Sequence, residues 1–71
     1  MPSAKARDFQ RVALVLGFIL KRTTGSHERW QHADGRAVTI PLYGGKEIGA
    51  PLFYKILRQL GLTLEQFEKL R

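Results

Sequence analysis

An α+β fold of α-β-β-β-α order is predicted by three features of the chain. Two apolar stripes of helical period, Phe9-Val12-Ala13-Leu16 and Phe53-Ile56-Leu57-Leu60, stand near its two ends. Between them the pattern changes to short alternating segments separated by glycine-containing turns. A glycine, Gly17 or Gly61, follows each stripe where a left-handed helix terminator belongs. Two helical stripes and one sheet face all need cover. The economical arrangement packs both helices on one face of a three-stranded antiparallel sheet and leaves the other face bare.

Each element has its own signal. Ser3 can cap a first helix from about Ala4 to Leu16, with Arg7, Gln10 and Arg11 off the buried stripe. "FILKRT" (18–23) reads as the first strand and "HERWQH" (27–32) as the second, joined by the turn Thr24-Gly25-Ser26. Asp34-Gly35 favours the positive-φ geometry of a tight connection, and "RAVTI" (36–40) gives the third strand, stopped by Pro41. "LYGGKEIGA" (42–50) reads as a mobile glycine-punctuated loop. Pro51 suits the first position of the second helix, with Ala50 as a poor N-cap. Thr63-Leu64-Glu65-Gln66 is a capping box, and Leu62 can staple against Phe67, so a short extra helix over 64–70 closes the chain.

Bulk properties bound the function. Seventy-one residues make a single domain, 1–71, without repeats or linkers. A chain of this size hides only about 60% of its unfolded surface, so any site is shallow and open. There is no cysteine for disulfides or thiolate ligands. No apolar run approaches the roughly 20 residues of a membrane span, and the first ten residues do not resemble a signal peptide, so the expected location is cytoplasmic. Twelve Lys and Arg against six Asp and Glu leave a net charge of +6 and a pI near 10.4. Such a field attracts polyanions, nucleic acid first, and an acidic protein partner by the same means.

Strand alternation locates the candidate site. Trp30 is the natural core residue of the second strand, which turns Glu28 and His32 inward with it and leaves His27, Arg29 and Gln31 outward. In the third strand Val38 and Ile40 face in and Thr39 faces out. The first strand is ambiguous, so either Lys21 or Arg22 joins the outer face. His27 and His32 lie five apart on opposite faces with no Cys or carboxylate cluster to complete a metal site, and no metal or cofactor is expected. Ser26 beside His27 is no hydrolase triad, because sequence neighbours on a strand point apart.

RNA scission needs less equipment. RNA carries its own nucleophile, the 2′-hydroxyl, beside the phosphate it attacks. One base to take the hydroxyl proton, plus cations to stabilise the crowded phosphorus, can suffice. Imidazole, with a reference pKa of about 6.5, suits the base, and neighbouring cations favour its neutral form.

Gly25-Ser26-His27 with an aromatic at Trp30, preceded by "LGFILKRTTGSH", resembles the HicA (YcfA-like) toxins. "VTIP" and the tail "LFYKILRQLGLTLEQFEKL" are similar to the same family, so the resemblance runs from about Asp8 to Leu70. It implies a fold like the double-stranded RNA-binding domain. It also implies a metal-independent, ribosome-independent endoribonuclease acting on mRNA and held in check by a HicB-type antitoxin. The family's catalytic histidine falls on His27. Lys21, Arg22 and Arg29 would bind phosphates, and Ser26 would hydrogen-bond the RNA. Two positions depart from the family pattern: Tyr43 stands where many members carry a second histidine, and Ala50 where Thr or Ser often opens the second helix. A phenol is a poor general base at neutral pH, so Tyr43 reads either as a hydrogen-bond donor or as an aromatic packed at the sheet edge. Two other readings of the same surface are a non-catalytic RNA-binding domain and a basic protein-interaction module.

Overall fold

The computed structural model describes residues 2–71, in the element order β1 (Ala4–Lys5), α1 (Ala6–Val15), β2 (Ile19–Thr24), β3 (His27–Gln31), β4 (Ala37–Pro41), β5 (Glu47–Ile48), α2 (Leu52–Leu60) and α3 (Leu64–Leu70). β2, β3 and β4 form the expected antiparallel meander in that spatial order. Gly25, at φ 58°, supplies the left-handed residue of the β2–β3 turn. α1 and α2 both pack on β4 and α3 packs on α1, so the helices share one face of the sheet.

The core lies between that face and the helices. Phe9 of α1, Phe53 of α2 and Phe67 of α3 are fully buried, with ring centroids 5.1 to 5.7 Å apart in tilted and edge-on contacts. Each such burial is worth about 1.5–3 kcal/mol, so three rings from three helices hold the helical layer together. Trp30, Val38 and Ile40 come down from the sheet to meet it. Glu28 also points inward: its Oε1 accepts from Gln10 Nε2 at 2.7 Å and from the Trp30 indole N–H at 3.1 Å. One carboxylate therefore satisfies the buried indole and ties α1 to β3.

Four details differ from the sequence expectation. α1 begins at Ala6, not Ala4, because Ala4 is fully buried and pairs with Ile48. Ser3 does not cap the helix; its hydroxyl donates to Glu47 Oε1 at 2.6 Å, while Asp8 Oδ2 accepts from the Lys5 N–H at 3.0 Å. The glycine-punctuated segment is not a free loop either. Glu47 and Ile48 form β5 on β1, and buried Ile48 anchors it to the core. Finally, Pro51 stands just before α2, at its N-cap.

The helix ends follow their signals. Gly17 and Gly61 have φ of 94° and 79°. At Gly61 an added Cβ would lie 2.9 Å from Arg36 Nη1, which donates to the Leu60 carbonyl at 2.6 Å. Thr63 and Gln66 exchange both bonds of the capping box, at 2.9 and 3.1 Å, and Leu62 packs on the cluster that contains Phe67.

Candidate nucleic-acid interface

The register of the sheet orders its bare face into rows. Thr24, His27 and Pro41 lie opposite one another across the three strands. Next along come Arg22, Arg29 and Thr39, and then Ile19, Gln31 and Ala37. Cross-strand partners share a face, so His27 has a row of cations beside it, two residues or about 7 Å along the strand. His27 itself is exposed at the first position of β3. Its strand end is held in place, since the Leu42 N–H donates to the Ser26 carbonyl at 2.6 Å and carries the β3–β4 pairing past it.

A β-bulge settles what alternation left ambiguous in β2. The register shifts between Leu20, opposite Trp30 on the core side, and Arg22, opposite Arg29 on the bare side. Lys21 is the extra residue. It lines a hollow with Ile19 and Gln31 of the bare face, so Lys21 and Arg22 both belong there. Ser26 is exposed in the turn and does not line the pocket at His27.

That pocket has a volume of about 280 Å³. Thr39 and Pro41 of β4 and Tyr43 line it together with His27, and Leu52, Lys55 and Gln59 of α2 complete it. Gln59 Oε1 accepts from the Thr39 N–H at 3.2 Å, so α2 covers the edge of β4 and brings Lys55 to the histidine. Lys55 and Gln59 were not among the residues the sequence nominated. Their signal was a polar pair at i, i+4 beside the apolar stripe of α2.

Charge is unbalanced on this face. Arg22 and Arg29 stand directly opposite each other, an unfavourable like-charge pair. Arg29 Nη1 donates to Thr39 Oγ1 at 3.0 Å, which turns its guanidinium toward β4 and the pocket. All six carboxylates are engaged elsewhere: Asp8 with Arg71, Glu28 with Gln10 and Trp30, Asp34 with Arg36, Glu47 with Ser3, Glu65 with Lys69 and Glu68 with Arg71. Among the described residues, no carboxylate pairs with Lys21, Arg22, Arg29 or Lys55. The other histidine is structural. His32 Nδ1 accepts from the Asp34 N–H at 3.1 Å, so Nε2 carries the proton and donates to the Leu16 carbonyl at 2.9 Å, and the ring lies edge-on to Phe18.

Fold and site together define a small basic α+β domain with a solvent-facing histidine set among unpaired cations on an uncovered sheet. A family model described as the HicA toxin of bacterial toxin-antitoxin matches residues 6–62. The chain belongs to the HicA toxin family, and a toxin-antitoxin partner follows from that membership. Comparison with curated proteins found no match. No helix among the described residues is long and apolar enough to cross a membrane.

Proposed function

We propose that this toxin is a metal-independent, ribosome-independent endoribonuclease of the cytoplasm, cleaving mRNA with His27 as general base and restrained by a HicB-type antitoxin. The observation that carries this reading is the pairing of an exposed histidine with a face of cations that no carboxylate neutralises. A phosphate seated between Arg22 and Arg29 would offset their mutual repulsion, and Lys21 would extend the same track.

In the reaction, the His27 imidazole takes the proton of a 2′-hydroxyl as that oxygen attacks the adjacent phosphorus. The new P–O bond forms while the bond to the 5′-oxygen breaks, leaving a 2′,3′-cyclic phosphate and a 5′-hydroxyl. The proton from the imidazolium or from water goes to the departing oxygen. Lys55 and Arg29 stabilise the negative charge that builds on the phosphoryl oxygens. Ser26, exposed at the turn, hydrogen-bonds the RNA backbone.

The test is incubation with a long single-stranded RNA in the presence of chelator, beside His27→Ala. Cleavage is expected, with cyclic or 3′-phosphate ends, and the variant should lose about 10²–10⁴ in rate, the usual worth of general-base help. Equal RNA binding by both proteins with cleavage by neither would make the domain a non-catalytic RNA binder. A variant that cleaves as fast as the parent would remove His27 from the mechanism.

A further inference from the structure

A second hollow lies against the first, across a single aromatic ring. It has a volume of about 340 Å³ and is lined by Arg7 and Gln10 of α1, by Leu42 and Tyr43, and by the two glycines that follow. Tyr43 lines this hollow and the His27 pocket alike. The ring remains 43% exposed, although the chain buries its other large aromatics almost completely or packs them on the core. Gly44 and Gly45, at φ 61° and 86°, carry the chain around the hollow without side chains to fill it.

We propose that this hollow is a nucleobase subsite, which takes the base of a nucleotide next to the phosphate cleaved at His27. The proposal rests on the ribonuclease reading above and adds a base preference to it. The face of Tyr43 offers a stacking platform, and Leu42 supplies further apolar wall. Arg7 is exposed and, among the described residues, pairs with no carboxylate, so it can hold the phosphate of the bound nucleotide. Gln10 supplies selectivity. Its amide nitrogen donates one of its two hydrogens to Glu28, a carboxylate that can only accept, and this leaves the amide oxygen and the second N–H for a base edge. Together that oxygen and N–H match the N6 amine and N7 of adenine, the bidentate pairing by which a Gln side chain reads that base, so adenine is favoured over uracil.

The experiment is cleavage of a randomised single-stranded RNA pool by the parent, Tyr43→Phe, Tyr43→Ala and Arg7→Ala, with the cut ends sequenced. The parent should disfavour uracil at one position flanking the cut. Tyr43→Phe should keep that bias. Tyr43→Ala should flatten it and lower kcat/KM roughly 5- to 150-fold, the worth of one stacked base. Arg7→Ala should cut less efficiently with the bias intact. A bias that survives Tyr43→Ala, or a parent with no bias, overturns the proposal. A second arm separates it from the catalytic reading: His27→Ala is titrated with short RNA oligomers and followed by amide NMR shifts. Oligomers rich in adenine should shift Tyr43, Gly44 and Gly45 more than oligouridine does, whether or not the parent cleaves RNA. Equal shifts by both, or shifts confined to β2 and β3, refute the subsite independently of any nuclease assay.

Discussion

Lys55 offers the sharpest test of how the site is assembled, because it reaches His27 from a different element. It is exposed on α2, lines the pocket, and among the described residues pairs with no carboxylate. Replacing it with Ala removes a charge without opening a core cavity, and Ala has the higher helix propensity, so stability should hold. Two unit charges about 4 Å apart interact by roughly 1 kcal/mol in water and about 4 kcal/mol at an effective dielectric of 20. In rate those limits are about 5-fold and 1,000-fold. The pocket opens onto a bare sheet, which puts the effect near the lower limit, at about 10-fold in kcat/KM. Lys69→Ala is the control, since Lys69 sits on α3 with Glu65 at 3.4 Å. The assay is single-turnover cleavage of one RNA at several salt concentrations, with melting curves for all three proteins. Loss in Lys55→Ala that exceeds loss in Lys69→Ala at unchanged stability is expected. Equal rates for Lys55→Ala and the parent at low salt would refute the assignment of Lys55 to the reacting phosphate.

Two further predictions concern the scaffold. Glu28→Ala strands the Trp30 indole N–H and the Gln10 amide; a lost bond to a buried charged group costs about 1.5–3 kcal/mol, read as a fall in the urea midpoint. Since a chain of this size has roughly 4–10 kcal/mol of stability, the variant should still fold in the cold, and a change under 0.5 kcal/mol would sink this account of Glu28. Asp34 accepts from the Arg36 N–H at 3.0 Å and from its guanidinium at 2.8 Å, and these bonds, the backbone one foremost, hold its carboxyl below the ordinary carboxylate value. A lowered folded value means stabilisation that is present at neutral pH and is lost as pH falls through that value. Asp34→Asn should therefore melt below the parent near neutrality, with the gap closing in strong acid.

Much of the fold was legible because its signals are local. The apolar stripes of α1 and α2, the terminating glycines and the Thr63 capping box each act within one or two turns of chain, and each is realised. What sequence could not show is pairing between distant segments. β1 and β5 are two residues each, too short for alternation to register, and only the closing of the chain sets Ala4 against Ile48. The site divides in the same way. His27 and Arg29 share a face by strict alternation within one strand, whereas the β2 bulge breaks alternation where Lys21 and Arg22 had to be assigned. Lys55 and Gln59 are invisible to any argument confined to the sheet, because their place depends on how α2 lies along β4.

The size of the chain explains why its chemistry is arranged on a surface. The three helices and the sheet gather their buried apolar residues into one core, and no second layer remains to roof a cleft. An open site is poorly suited to reactions that need a desolvated nucleophile supplied by the protein, since water screens the charges that would activate it. It is better suited to a polyanion that brings its own nucleophile and is drawn in by unpaired cations. Glu28 is the element that makes this compatible with folding. By taking the indole and the Gln10 amide inside, it satisfies the buried polar groups with a carboxylate that would otherwise neutralise the face above. The remaining acids sit on the helices, the β3–β4 turn and β5, each already bonded, so the bare sheet keeps its positive field. The same placement of acids that stabilises the helical layer thus leaves His27 among cations alone.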